Sequence, residues 1–92
     1  VPFNIVSYSF LTHLLAHHCG LEADKFVHFL GDAHIYEEHI DVLKEQIKRI
    51  PYEFPRMKFT KTRELIENYD ENDIEWIEPY KHHSEMKMKM VT

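Results

Sequence analysis

Basic residues, cysteine and long apolar runs are all scarce in this 92-residue chain. Eleven Lys and Arg against sixteen Asp and Glu give a net charge of −5, which excludes a general nucleic-acid binder that must neutralise phosphates. The single cysteine, Cys19, excludes an internal disulfide and fits a reducing compartment. No apolar run approaches the ~20 residues of a membrane span, and no segment resembles a signal peptide. We therefore expect an acidic cytoplasmic protein that binds neither DNA nor membranes.

The residues that are present favour one folded domain rather than a disordered chain. Hydrophobic residues make up 43% of the sequence and charged residues 29%, a balance that is typical of globular proteins. Only two glycines occur, Gly20 and Gly31, and there is no repeat or flexible linker. A chain of this length allows at most one domain.

Apolar periodicity predicts two helices and three strands. The first helix covers residues 5–18, is apolar around most of its circumference, and ends at Gly20 as its C′ residue. The second covers residues 37–50, with acidic residues at its start and basic residues before Pro51. Strands are predicted at 25–36, 56–60 and 74–77, and Gly31 indicates either a bulge in the first or a close approach of the backbone to a ligand. This order of elements predicts a mixed α and β class.

Histidine is abundant, and its residues allow two interpretations, a metal site or a structural role. His13 and His17 lie four residues apart on the first predicted helix, a spacing that can place two imidazoles on one metal, and His34 and His39 add candidates. Neither an HExxH nor a CxxC pattern is present. We therefore predict no metal site. Cys19 lies next to the helix end without an activating base, which favours a buried thiol over a nucleophile.

Two short motifs allow both a structural and a functional interpretation. Asn4, at the start of the first helix, is either an N-cap or a carboxamide that matches the O4 and N3–H edge of uracil. His34 and Tyr36 lie two apart, hence on one face of the predicted strand. They are either aromatic residues of the core or a pair that binds a sugar hydroxyl.

The same motifs, in this order, resemble a known family. The segments PFNIVSY and GDAHIYEEH and the terminal MKMKMVT are similar to the C-terminal part of thymidylate synthase, and the resemblance covers the whole chain. It implies that residues 1–92 are the C-terminal portion of a single domain whose upstream portion is absent. The implied fold is α+β, a mixed twisted sheet packed with long helices and incomplete in this chain.

This resemblance implies a cytoplasmic homodimeric methyltransferase that converts dUMP to dTMP. Methylenetetrahydrofolate supplies the carbon and the hydride as co-substrate, and leaves as dihydrofolate; no metal takes part. A cysteine thiolate attacks the uracil ring in that family, but Cys19 does not match its motif. The nucleophile is therefore expected before Val1, and the 92-residue chain alone is expected to be inactive. Fusion to a dihydrofolate reductase domain stays open.

Site residues follow from the resemblance position by position. Asn4 would bond the uracil edge, while His34 and Tyr36 would hold the deoxyribose 3′-hydroxyl. The residues implied for the folate site are Phe3, Tyr36, Met90 and Val91. The chain departs from the family in its Val91-Thr92 terminus, where Ala-Val is common, and in Glu37 and Glu38, which replace an uncharged pair. We expect these two acids to face solvent.

Two other functions compete with this prediction. A dCMP hydroxymethylase of the same fold is the nearest rival, but its base-recognising position tends to be an acid where this chain has Asn4. A small non-catalytic module that uses the histidines for metal binding or interaction is the second.

Overall fold

A computed structural model describes residues 1–90 and contains both helices and strands. The regular elements, in chain order, are α1 (Pro2–His18), α2 (Ile40–Gln46), β1 (Arg56–Phe59) and β2 (Ile74–Glu78). Three short 3₁₀ turns, at Glu37–His39, Ile66–Asn68 and Glu71–Asp73, connect or precede them. The predicted mixture of α and β structure is confirmed.

Helix α1 begins earlier than predicted and ends where predicted. Pro2 occupies the first turn, where its fixed φ and missing N–H are tolerated. The N-cap is Val1, and no side chain among residues 1–90 caps the helix. The N-cap alternative for Asn4 is therefore wrong, because Asn4 lies inside the first turn. At the other end Gly20 adopts φ 70°, and the Leu21 N–H donates to the Ala16 carbonyl at 2.7 Å, which closes a Schellman motif.

The second helix is shorter than its amphipathic pattern predicts. Residues Glu37–His39 form a 3₁₀ turn, and α2 ends at Gln46. Beyond it the Lys48 N–H donates to the Glu45 carbonyl at 3.1 Å. This bond joins residues three apart, as in a 3₁₀ turn, and not four apart, as in an α-helix. Pro51 follows, and the residue before a proline is driven away from helical dihedrals. The pattern over 37–50 therefore covers a helix and the turn after it.

The predicted strand at residues 25–36 is wrong. This segment carries no regular structure and bends at Gly31 and Asp32. A strand needs a partner for its backbone N–H and C=O groups, and within residues 1–90 only β1 and β2 pair, antiparallel, from Arg56 opposite Glu78 to Phe59 opposite Ile74. The bulge predicted at Gly31 fails with its strand. The predictions at 56–60 and 74–77 are confirmed to within one residue.

Apolar side chains remain largely exposed in the described structure. Asp73 is the only buried residue among residues 1–90, and Phe29 and Phe54 are 88% and 90% exposed. The accessible surface is 8677 Å², against ~5,700 Å² for a folded monomer of this mass. The radius of gyration is 16.7 Å, against about 12 Å for a compact domain of this length. The predicted burial of Cys19 is also wrong, because the thiol is exposed at the C-cap of α1.

Candidate functional site

Three aromatic rings of the GDAHIYEEH segment contact each other in sequence order. The His34 and Tyr36 ring centroids lie 5.2 Å apart at 69°, and those of Tyr36 and His39 lie 5.6 Å apart at 86°. Both geometries are edge-to-face, the arrangement that aromatic quadrupoles favour. We call His34, Tyr36 and His39 the aromatic row. His34 and Tyr36, which were predicted to share a face of a strand, do lie together. Contacts between their rings hold them there, because this segment does not form a strand.

The polar atoms of Tyr36 and His34 are available to a ligand. The Tyr36 hydroxyl makes no hydrogen bond within residues 1–90, and Tyr36 is 43% exposed. His34 Nδ1 lies 3.8 Å from Asp32 Oδ1, and these side chains are 58% and 96% exposed. Such an exposed pair contributes little stability, so it does not hold His34 in a buried structural role. The row can therefore offer a hydroxyl and an imidazole nitrogen to one polar group.

His39 connects the row to the C-terminal tail. Its Nε2 lies 2.6 Å from the backbone carbonyl oxygen of Lys89, fifty residues away in sequence. Met90, a residue predicted for the folate site, follows directly and is 86% exposed. From the sequence, His39 was a candidate only as a metal ligand, and this contact was missed. No local pattern could have shown it, because the partner is a backbone atom in a distant segment.

Phe3 and Asn4 lie apart from the aromatic row in the described contacts. Both are in the first turn of α1, both are exposed, and Phe3 is 80% exposed. No hydrogen bond or ring contact among residues 1–90 joins either of them to His34 or Tyr36. These contacts therefore join His34 to Tyr36 and place Lys89, the residue before Met90, against His39, and none of them includes Phe3 or Asn4. Val91 lies outside the described residues.

Two acids flank the row on its solvent side. Glu37 and Glu38 form the first turn of the Glu37–His39 segment, and both are exposed. Their charge is favourable beside the free N–H groups of a helical N-terminus. The expectation that these two residues face solvent is confirmed.

A second polar cluster surrounds Asp73 between the strands. Arg63 donates to its carboxylate through Nε at 3.0 Å and Nη2 at 2.7 Å, and the Asp70 N–H donates at 3.1 Å. The hydrogen bond from Arg63 holds the pKa of Asp73 below its ordinary value despite burial, and the same bond raises the pKa of Arg63. Sequence reasoning missed this pair. The D-x-x-D spacing from Asp70 to Asp73 is the signal, since it matches a capping box.

Helix α1 is attached to this cluster by its last turn. His18 Nδ1 lies 3.1 Å from the Tyr69 hydroxyl, which accepts from the Arg63 N–H at 3.0 Å. His17 Nε2 lies 3.0 Å from the Lys61 carbonyl, and its ring stacks on Phe59 at 4.7 Å. These histidines therefore join elements of the fold. In the part of the chain that the structure describes, no group of three or more His, Cys, Asp or Glu side chains could hold a metal ion.

One groove of about 520 Å³ lies away from every predicted site residue. It runs between residues 46–55 and 80–88. Its polar groups bond across it, since Arg49 donates to the Ser84 carbonyl at 2.7 Å and His83 Nε2 lies 2.8 Å from the Ile50 carbonyl. The Tyr52 and His83 rings also stack at 4.5 Å. This pairing indicates a seam between two segments, so we place the candidate site at the aromatic row.

Comparison with known proteins decides the family. The family model for thymidylate synthase matches residues 1–92. The chain belongs to the thymidylate synthase family. It is 45% identical over 92 residues to a probable thymidylate synthase of Schizosaccharomyces pombe and 47% identical over 90 residues to the thymidylate synthase of Saccharomyces cerevisiae. It is 48% identical over 90 residues to a bifunctional dihydrofolate reductase-thymidylate synthase of Leishmania amazonensis.

The family match covers nearly all of this chain but a small part of each relative. Each alignment includes 98% of the chain, yet it spans 15% of the S. pombe protein, 29% of the S. cerevisiae protein and 17% of the L. amazonensis protein. The resemblance drawn from PFNIVSY and GDAHIYEEH is confirmed. Among residues 1–90, no helix has the length and apolar character that crossing a bilayer requires.

Proposed function

We propose that residues 1–92 are the C-terminal portion of a thymidylate synthase domain that methylates dUMP to dTMP. The family match over all 92 residues is the observation that carries this proposal. The large accessible surface supports it, since a total of 8677 Å² is far more than a complete domain of this size leaves exposed, and many large apolar side chains contribute to it. The rest of the domain, and a second subunit of a cytoplasmic homodimer, would cover that surface.

The nucleotide would bind to Asn4, His34 and Tyr36. The Asn4 carboxamide offers an acceptor for the uracil N3–H and a donor for O4. The Tyr36 hydroxyl and a His34 ring nitrogen would bond the deoxyribose 3′-hydroxyl, and the edge-to-face contact at 5.2 Å keeps the two side chains adjacent. Because each of these polar groups has a specific counterpart on dUMP, the site would select its substrate by hydrogen bonding rather than by shape alone.

The folate co-substrate would lie against Phe3, Tyr36, Met90 and Val91. When bound, methylenetetrahydrofolate supplies the one-carbon unit and the hydride. These side chains would suit a flat ring system, since Phe3 and Met90 are 80% and 86% exposed and offer apolar surface, and the Tyr36 ring offers an aromatic face. The tail that carries Met90 would close over the site and exclude water.

The attacking thiolate would come from a part of the protein outside these residues. Cys19 is exposed at the C-cap of α1, and within residues 1–90 no hydrogen bond joins its thiol to a base. Activation of a thiol requires an adjacent base or positive charge. Residues 1–92 would therefore shape the nucleotide and folate sites without performing the covalent step.

An assay of the complete protein tests this function. Incubation with dUMP and methylenetetrahydrofolate should yield dTMP and dihydrofolate in equal amounts. Mass spectrometry measures the dTMP, and absorbance measures the dihydrofolate. A parallel assay with dCMP separates the hydroxymethylase alternative. Absence of dTMP, or preferential consumption of dCMP, would overturn the proposal.

A further inference from the structure

One imidazole contacts both the aromatic row and the C-terminal tail. His39 is half-buried, its ring meets the edge of Tyr36 at 5.6 Å, and its Nε2 lies 2.6 Å from the Lys89 carbonyl oxygen. His39 therefore connects Tyr36, a residue of the proposed nucleotide site, to Lys89, the residue before Met90.

The chemistry of this contact fixes the role of each partner. A backbone carbonyl only accepts hydrogen bonds, so the Nε2 of His39 must carry the proton and donate it. The distance of 2.6 Å lies just below the usual range for such bonds. The Lys89 side chain takes no part. The tail is consequently held by its backbone, and residue 39 is the group whose replacement changes the contact.

We propose that His39 is a positioning residue that holds the tail at Lys89 beside Tyr36 before the folate binds. This inference rests on the proposed synthase function. A tail held in place loses less conformational freedom on closing than a free tail, so the closed state forms at a lower folate concentration. Loss of the donor should therefore raise the KM for methylenetetrahydrofolate and leave the KM for dUMP unchanged.

Two substitutions in the complete protein separate the donor from the ring. His39→Phe keeps a ring against Tyr36 and removes the N–H, whereas His39→Gln keeps an N–H at a similar reach and removes the ring. The Phe variant should raise the KM for methylenetetrahydrofolate about two- to tenfold, the range of one neutral hydrogen bond, while the Gln variant stays near wild type. Lys89→Ala is the matched control, since it retains the carbonyl and should change neither KM.

A second readout needs neither substrate nor turnover. Trypsin cleaves after Lys89, and it must bind the same carbonyl oxygen that His39 holds. Mass spectrometry of the ligand-free protein should show cleavage after Lys89 several-fold faster in His39→Phe than in wild type or His39→Gln. Should the Phe variant melt at a lower temperature than wild type, His39→Asn, whose amide is too short to reach Lys89, replaces it.

The outcomes separate this inference from the proposed function. A complete wild-type protein without synthase activity overturns the function, and the cleavage rates still test the contact. An active wild type whose His39→Phe variant matches it in KM and in cleavage overturns the inference alone. Equal losses in the Phe and Gln variants also overturn it, because they show that restoring an N–H at residue 39 does not restore the effect.

Discussion

Arg63 forms a bidentate ion pair with Asp73, which is the only buried residue of the described chain. The guanidinium donates to the two carboxylate oxygens at 3.0 and 2.7 Å, and the Asp73 side chain is fully buried. Arg63 lies within the segment that leads from β1 to β2, and Asp73 is the last residue of that segment. A buried carboxylate that loses such a partner is left uncompensated, so this pair fixes the approach of the two strands.

The pair predicts a specific dependence of stability on pH. Because the folded pKa of Asp73 is lowered below its ordinary value of 3.8, its stabilisation is fully present above pH 3.8 and is lost as the pH falls through the folded pKa. Asp73→Asn should therefore destabilise the complete protein at pH 6, and the difference from wild type should shrink below pH 3.8. Urea unfolding between pH 3 and 6 measures this difference. The exposed Glu71→Gln is the control, and a constant gap for Asp73→Asn would contradict the prediction.

Gly20 gives a stability prediction with an internal control. Its φ of 70° is unfavourable for residues with a Cβ, although, apart from its chain neighbours, no atom of residues 1–90 lies within 4 Å of the position that an alanine Cβ would occupy. Gly20→Ala should therefore cost about 1–2 kcal/mol through backbone strain alone. Gly31 has equal space and no positive φ, so Gly31→Ala should stay within about 0.5 kcal/mol of wild type. Equal unfolding free energies for the two variants would show that the positive φ at Gly20 causes no measurable strain in the alanine variant.

These elements show how far the sequence determines the structure. The end of α1 was predictable because Gly20 and the last helical turn form a local motif. The irregular structure at 25–36 was not predictable, because its apolar residues indicate a preference for burial but do not show whether the segment has the partner that a strand requires. The contact between His39 and Lys89 was also beyond prediction, since it joins a side chain to a distant carbonyl. The roles of Asn4 and Tyr36 came from the family resemblance and stay predictions.

Base selection tests the role of Asn4. In the complete protein Asn4→Asp should lower the preference for dUMP over dCMP by about tenfold or more, because a carboxyl group can accept from the cytosine amine that a fixed carboxamide opposes. The ratio of kcat/KM values for the two nucleotides measures this change. Asn68→Asp makes the same chemical change in a distant 3₁₀ turn and should leave the ratio unaltered. An unchanged ratio for Asn4→Asp would remove Asn4 from the site.

Sugar binding tests the role of Tyr36. Tyr36→Phe should raise the KM for dUMP a few-fold to tenfold, since one neutral hydrogen bond contributes about 0.5–1.5 kcal/mol. The ring contacts with His34 and His39 do not need the hydroxyl, so the melting temperature should hold. Tyr52→Phe is the matched control, because its ring stacks on His83 away from the site. A normal KM with a strongly lowered melting temperature would make Tyr36 a structural residue only.

The exposed apolar surface predicts the behaviour of residues 1–92 on their own. Without a buried apolar side chain among the described residues, the isolated chain lacks the burial that offsets the conformational entropy lost on folding. The exposed face of α1 and the short two-stranded sheet should instead drive association. We expect sedimentation to show heterogeneous aggregates, thermal melting to lack a cooperative transition, and the synthase assay to show no turnover, with the complete protein as the reference. A monodisperse monomer that melts cooperatively would contradict the assignment to a larger domain and would favour the small-module alternative.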